Sequence, residues 1–431
     1  MAIIKSIEKC INNISPNEDI LFRYTKKIDF DSEWINTLLN NHNNIFYINY
    51  SDASTYIAIG RSKEYIINSN NDFEELKEYI YKIESYGENT TETLKLFGGV
   101  SFDINQESSD FWAGIPKGLF FIPEFLISKD KETYFISYYK FLNQNSNPKK
   151  INLKYQSFIS KLEYISDLQK TLIHFDKDIP SKENYSKIFF NLSQSIKNKD
   201  IEKIVLSRIK KFSVNNKIIL QDSSCTNFYI DLEKNKRFLG TTPELLVAIK
   251  NKQLTTSAIA GTLKKESGND LNDFLNNQKE LSEHQYVVDD LVKKISNYCK
   301  IIDKKNKPEI LELKHLYHLC TPIKAQLKKN IHILDIANIL HPTPAVSGTP
   351  KDKTLDMIIK NEPFHRGWYS GYIGWYDIKG DGRFDVAIRS ALQIDKHLYC
   401  YAGGGLVKDS QEIHEWNETE LKFQHLLSAI K

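Results

Sequence analysis

Strand-like and helix-like segments follow one another along this 431-residue chain without a strict strand–helix–strand alternation. That irregularity points to an α+β architecture with large mixed sheets rather than to repeated βαβ units. Residues 73–83 have helical periodicity, and Tyr185, Ile188, Phe189, Leu192 and Ile196 share one helical face. Residues 280–295 predict an amphipathic helix with Val287, Val288, Leu291 and Ile295 inward. Segments 96–104, 118–128, 203–212, 255–262, 368–376, 384–394 and 398–401 read as strands punctuated by Gly and Pro. The polar stretch 143–150 reads as a loop, either a lobe boundary or a hairpin tip, and no internal repeat is present.

The length suggests two or three domains, and a hydrophobic content of 41% with 26% charged residues is ordinary for a globular protein. Net charge is +3 with Lys and Glu interspersed, so a nucleic-acid partner is not implied. The first residues are broken by Lys5, Glu8 and Lys9, unlike a signal peptide, and no apolar run approaches the ~20 residues of a membrane span. Cys10, Cys225, Cys299, Cys320 and Cys400 are scattered, odd in number and without CxxC spacing. That pattern predicts reduced thiols in a cytoplasmic protein and argues against a zinc site or disulfide framework.

The segment 401–422, YAGGGLVKDSQEIHEWNETELK, concentrates chemistry. Gly403, Gly404 and Gly405 leave backbone N–H groups uncovered, so the triplet is either an anion cradle or a tight turn. Asp409 or Ser410 reads as a helix N-cap, followed by an apolar stripe of Ile413, Trp416, Leu421 and Leu427. Glu415 and Glu418 leave that helix on nearly one face, with Lys422 one turn on. Glu280 and Glu283 repeat the spacing on a second helix. Each pair alone fits a solvated face. Two such helices facing each other would make an oxygen-rich Mg²⁺ site.

Other candidates carry two readings each. Lys203 opens an apolar strand and either snorkels to water or, desolvated, acts as a general base. Glu244 is either a buried general acid or a first-turn Glu favoured by a helix dipole. His284 lacks the second His of a HExxH site, and His341 at a Pro-rich turn reads as structural when taken alone. Arg366 and Arg389 lie in apolar, Gly-containing sequence and need partner anions. Neither a Walker A motif nor a GxGxxG after a strand is present.

Taken together and in order, KIVLSR, GTTPELL, AIAGT, ELSEHQYVV, LHPTPAVSGTPK, EPFHRGWYSGYIG, AIRSA and AGGGLVKDSQEIHEWNETELK resemble the chorismate-utilising enzyme family, nearest its isochorismate synthase branch of menaquinone and siderophore biosynthesis. The blocks span Lys203 to Lys422, and the first half carries a looser likeness at FGGVSFD and FFIPE. The resemblance implies a large fold like that of anthranilate synthase component I, with two packed β-sheets surrounded by helices. Residues 1–175 would form an N-terminal lobe completing that fold, and 176–431 the chorismate-binding core.

It also implies a Mg²⁺-dependent isomerisation of chorismate to isochorismate, with water adding at C2 and the C4 hydroxyl departing. Lys203 matches the base that activates water and Glu244 the acid that protonates the leaving hydroxyl. Glu283 and Glu418 match direct Mg²⁺ ligands, and Glu280 and Glu415 hold metal-bound waters. Gly261 and Thr262 line the ring side. Tyr369, Arg389, Gly403 and Gly405 match contacts around the pyruvyl carboxylate, Lys422 a cation near the ring carboxylate, and His341 a pocket histidine. Lys203 separates this branch from anthranilate synthase component I, and Ala260 stands where aminodeoxychorismate synthases carry a nucleophilic Lys. The alternatives are salicylate synthase, in which pyruvate elimination follows, and a silent paralogue that only binds chorismate. Ser347 departs from the commoner Gly. A monomer or weak homo-oligomer without a glutaminase subunit is expected.

Overall fold

The computed structural model describes residues 2–430 other than 17, 53, 84, 89–92, 163–170, 234, 266–269, 315 and 330. Its strands join into one continuous hydrogen-bonded network that branches at the long strand Gly118–Asp130. One edge of that strand pairs with Thr55–Ile67 over its whole length. Its other edge divides: Gly118 to Phe121 pair with Lys95–Val100, and Phe125 to Asp130 pair with Thr133–Leu142.

Beyond the short continuation from Thr133–Leu142 to Ile20–Ile28, two longer arms leave this branch. One runs through Ile45–Asn49, Thr226–Glu233, Lys236–Thr242, Ser390–Ile394 and His397–Leu406 to Lys203–Val214 and Ile173–Ile179. The other runs through Tyr372–Asp377, Gly382–Val386, Leu245–Lys250 and Gln253–Lys264 to Leu316–Leu327. Among the described residues the pairings are antiparallel except that of Ile20–Ile28 with Ser85–Glu88.

The arms pack face to face, so the expected two sheets are two halves of one network. Phe46 meets Phe97 with ring centroids 5.4 Å apart, Phe238 meets Trp368 at 6.4 Å, and Tyr369 stacks on Tyr401 at 4.9 Å. A second core, including Ile7, Leu38, Phe158 and Phe423, lies under Ala2–Ile11, Trp34–Asn41, Pro148–Ile159 and Glu412–Leu427. Because large apolar side chains line both faces of the first arm, its strands read as near-continuous hydrophobic runs. Strands from the first half of the chain sit inside the network: Phe46 pairs with Ile230 and Phe97 with Trp375.

Most of the expected elements form, with adjusted bounds. The helix at 73–83 is Asn70–Lys82, held by a capping box of Ser69 and Asp72. Strand 384–394 divides into Gly382–Val386 and Ser390–Ile394, because Arg389 between them takes a left-handed conformation with φ 49°. The stretch 143–150 is neither hairpin tip nor wholly loop. Asn147 caps, and Pro148 opens, a helix in which Lys149 and Lys150 are already helical, so the polar residues mark a strand-to-helix joint.

Candidate active site

The base of the site is the pairing of Lys203–Val214 with His397–Leu406, in which Gly403 faces Ser207 and Gly405 faces Val205. The glycine triplet is therefore extended strand, not a turn, and its sequence has a packing cause. A Cβ on Gly405 would lie 2.4 Å from Glu283 Oε1 and 3.0 Å from Lys203 Cε. One on Gly403 would lie 2.8 Å from Ser207 Oγ and 3.0 Å from the Tyr369 hydroxyl. Side chains of the site occupy the space that a Cβ would fill. The following helix starts at Glu412 with Gln411 as N-cap, so Asp409 and Ser410 do not cap it; Ser410 Oγ instead accepts from Val407 N–H. Its buried face carries Trp416, Thr419, Phe423 and Leu426, whereas Ile413 is exposed. The expected stripe is displaced because Glu415 takes a buried position too.

Helices Gln278–Ser296 and Glu412–Leu427 bring Glu280, Glu283, Glu415 and Glu418 together with three lysines. Lys203 Nζ donates to Glu283 Oε1 at 2.8 Å, Lys422 Nζ to Glu418 Oε1 at 2.6 Å and to the Gly403 carbonyl at 2.8 Å, and Lys279 Nζ to Glu415 Oε1 at 3.3 Å. Lys203 does not snorkel: its side chain is wholly buried. Burial works against ionisation of Glu283, but the charge and hydrogen bond of Lys203, with Lys422 and Lys279 nearby, hold its carboxyl below the usual range. Glu280 is pushed up to about 7 by burial and by the charge of Glu283, and Glu415 to about 7 by burial and by Glu418.

The other wall holds Glu244, Gly261, Thr262, His318, Tyr369 and Arg389, which line one cavity with Glu283, Gly403, Gly405 and Lys422. Glu244 follows the end of strand Lys236–Thr242 and is 4% exposed. Burial raises its carboxyl to about 8, even with Lys203, Arg389 and Lys422 opposing. It therefore holds a proton near neutral pH. Arg389 is buried, its Nη2 donates to His318 Nε2 at 3.0 Å, and its Nη1 has no hydrogen-bond partner among the described residues. Gly261, with φ +79°, forms a bulge opposite His318 that turns the Thr262 N–H to Glu280 Oε2 at 2.9 Å.

His341 does not join this group. Its Nε2 lies 3.1 Å from the Phe102 carbonyl, its ring sits edge-on to Tyr372, and it is outside the residues lining the cavity. The cis bond to Pro342 and the helix ending at Leu340 place it on that structural joint. The pocket histidine is His318, which sequence reasoning missed. Burial, then the charge of Arg389, keeps it neutral, so Nε2 accepts from Arg389 and Nδ1 donates to the Gly261 carbonyl at 3.0 Å. Its one sequence trace is a histidine inside the apolar strand LYHLC. Arg366, the second candidate anion binder, has its partner within the protein: Glu362, through Nε at 2.8 Å and Nη2 at 2.5 Å.

The four glutamates suit a hard divalent cation. They offer only oxygen donors, and Glu280 and Glu415 are raised by burial and then by the charges of their carboxylate neighbours, a repulsion that a dication would relieve. Among the described residues no three of these carboxylates have oxygens all within 4.8 Å of one another. The lysine partners supply the positive charge.

Comparison with known proteins agrees with this geometry. Residues 5–431 match the family described as "Chorismate binding enzyme". The chain is 27% identical over 416 residues to isochorismate synthase MenF of Bacillus subtilis (strain 168), covering 90% of this chain and 88% of that protein. The structure of the menaquinone-specific isochorismate synthase MenF from Escherichia coli superposes with a TM-score of 0.76 at 20% identity, over 100% of both chains. Anthranilate synthase component I from Streptococcus pneumoniae gives 0.67 at 22% identity, over 89% of this chain and 90% of that one. At these identities the two structures establish the fold that the three proteins share.

Proposed function

This chain belongs to the chorismate-binding enzyme family, and from that premise we propose that it is an isochorismate synthase using Lys203 as base and Glu244 as acid. The observation that carries this reading is the contrast between these two buried groups. Lys203 is an amine without exposure beside a carboxylate held ionised, and Glu244 is a carboxyl that keeps its proton near neutral pH. A carboxyl that keeps its proton can give it to a leaving hydroxyl, which makes Glu244 the acid and leaves the buried amine of Lys203 as the base.

In the proposed reaction, water adds at C2 of chorismate while Lys203 Nζ accepts its proton. The C4 hydroxyl leaves as water with the proton that Glu244 donates. One water enters and one departs, so the product is an isomer of the substrate. Arg389 Nη1, buried and without a hydrogen-bond partner among the described residues, is available to a substrate carboxylate. Neutral His318 holds the guanidinium through Nη2. Tyr369, Gly403 and Gly405 shape the same wall, and Gly261 and Thr262 face the ring.

Mg²⁺ held by Glu283 and Glu418, with Glu280 and Glu415 around it, would offset the ring carboxylate of a dianionic substrate. Lys422 adds positive charge beside Glu418. We further propose that residues 1–175 complete the fold while 176–431 carry the chemistry, since the site residues lie between Lys203 and Lys422. No helix among the described residues is long and apolar enough to cross a membrane, and we assign the enzyme to the cytoplasm, acting without a glutaminase subunit as a monomer or weak homo-oligomer.

The test is product analysis after incubation with chorismate, with and without Mg²⁺. Mg²⁺-dependent approach to a chorismate–isochorismate equilibrium without aromatic product is the expected result. Salicylate with pyruvate would move the assignment to salicylate synthase. Anthranilate formed only with added ammonium would remove Lys203 from the base role, and no turnover would leave a protein that only binds chorismate.

A further inference from the structure

Outside the residues that line the cavity, but close enough for Cys225 to interact electrostatically with Arg389, a second group of polar side chains is gathered that the reaction does not use. Asp222, Cys225 and His425 present ligand atoms all within 4.8 Å of one another. His425 Nε2 lies 3.4 Å from Asp222 Oδ2 and 3.7 Å from Cys225 Sγ. Cys225 and His425 are buried, while Asp222 stands in a surface turn whose neighbours Ser223 and Ser224 are exposed.

Both contacts converge on the same ring nitrogen. A nitrogen carrying at most one proton makes one good hydrogen bond, and an acid–imidazole bond would be nearer 2.8 Å. Around a tetrahedral zinc, with Zn–N about 2.0–2.1 Å, Zn–O about 2.0–2.2 Å and Zn–S about 2.3 Å, ligand atoms stand roughly 3.3–3.6 Å apart. The observed separations are close to that spacing. The other oxygen, Asp222 Oδ1, is already engaged by Ser224 N at 2.8 Å and Ser224 Oγ at 2.6 Å, which turns Oδ2 inward.

We infer that Asp222, Cys225 and His425 supply three ligands to a thiophilic divalent ion of the zinc class, with water taking the fourth tetrahedral position on the partly exposed Asp222 side. Carboxylate, thiolate, neutral imidazole and dication sum to zero charge, which lowers the cost of burial. Burial and then the charge of Asp222 push the Cys225 thiol up to about 11 against Ser224, Thr241 and Arg389, so the thiolate would form only with the metal bound, which releases the proton. The cysteine spacing alone argues against zinc, because the ligands come from positions 200 residues apart. His425 lies in the last turn of the helix that carries Glu415, Glu418 and Lys422, and Gln221 N–H ties the same loop to the segment just after that helix by donating to the Ala429 carbonyl at 2.8 Å. The ion would clamp the helix of the catalytic carboxylates to the sheet.

The test is titration of the full chain, stripped by a chelator, with Co²⁺ alone. A thiolate-to-cobalt charge-transfer band saturating at one equivalent and displaced by Zn²⁺ is expected, and carboxylates binding Co²⁺ elsewhere cannot produce it. Cys225→Ser should abolish the band and Cys320→Ser should keep it. Asp222→Asn, at the more exposed position, should weaken Co²⁺ binding by more than about tenfold. Absence of the band in the intact protein, its survival in Cys225→Ser, or unchanged affinity in Asp222→Asn would each overturn the site.

Discussion

Lys203 Nζ lies 2.8 Å from Glu283 Oε1, where strand Lys203–Val214 meets the helix of the first glutamate pair. The lysine is wholly buried and the glutamate 15% exposed, and the lysine is the largest of the charges that compensate the glutamate for lost hydration. The proposed base and the proposed metal-site carboxylate are thus one unit, and a change at either is expected to be felt at both.

Replacing Lys203 with Ala should lower turnover by roughly 10²–10⁴-fold, the usual contribution of a positioned base. Leaving Glu283 without its partner should also cost about 3–5 kcal/mol of stability. Initial rates on chorismate and urea denaturation check the two effects. Near-normal turnover would remove Lys203 from the base role.

Glu244 should give both activity and stability a basic limit. Its folded-state value is raised from 4.5 to about 8, so the native state holds a proton that the unfolded chain has already released. Stability from this group is greatest below the unfolded value and declines as pH rises through about 8. Glu280 and Glu415, raised to about 7, contribute the same sign over a range that ends sooner. Glu244→Gln should remove this group's slope from the stability profile across the window from about 4.5 to about 8, and wild-type kcat should fall above about 8. A stability profile unchanged by the substitution would contradict the protonated carboxyl.

Neighbouring glycines should differ sharply in tolerance. In Gly405→Ala the new Cβ lands 2.4 Å from Glu283 Oε1 and 3.0 Å from Lys203 Cε, so the pair must separate. In Gly404→Ala it lies 3.3 Å from Glu415 Oε2, the movable end of a side chain. Activity should fall more than about tenfold in the first variant, an effect of one displaced catalytic contact, and change little in the second. Equal rates in the two variants would show that the strand has room that its geometry denies.

Arg389→Ala should raise KM by roughly 10–100-fold, corresponding to one hydrogen-bonded charge contact of about 1.5–3 kcal/mol. Steady-state kinetics would show it. Arg389→Lys should restore only part of the loss, because an ammonium lacks the planar fork. Full restoration by lysine would mean that charge alone is read there.

Glu418→Gln should shift the Mg²⁺ activation curve to higher concentration, and a chelator should abolish wild-type turnover. An unchanged Mg²⁺ titration would take Glu418 out of the metal site.

Much of the site was legible before any coordinates. Glu280 with Glu283, and Glu415 with Glu418, share helix faces because three residues make nearly one turn, a relation contained in the segment itself. Lys203 and Glu244 stood out as charged residues in apolar runs. His318 was hidden for the converse reason: a histidine in a strand signals nothing until the facing strand is known, and its role comes from standing opposite Thr262 and beside Arg389. His341 drew attention through its Pro-rich surroundings, which turned out to form a structural joint.

By itself the sequence determined the elements, their amphipathic faces and the residue types available for acid–base and metal chemistry, since each follows from periodicity within a few turns of chain. The tertiary structure alone decided that Gly403 to Gly405 run as strand against Val205 to Ser207, that Lys203 meets Glu283, and that Asp222 and Cys225 meet His425. Those contacts join residues 80 to more than 200 positions apart. They depend on which strand pairs with which and in what register, and local periodicity carries no information about a partner that the chain supplies so much later.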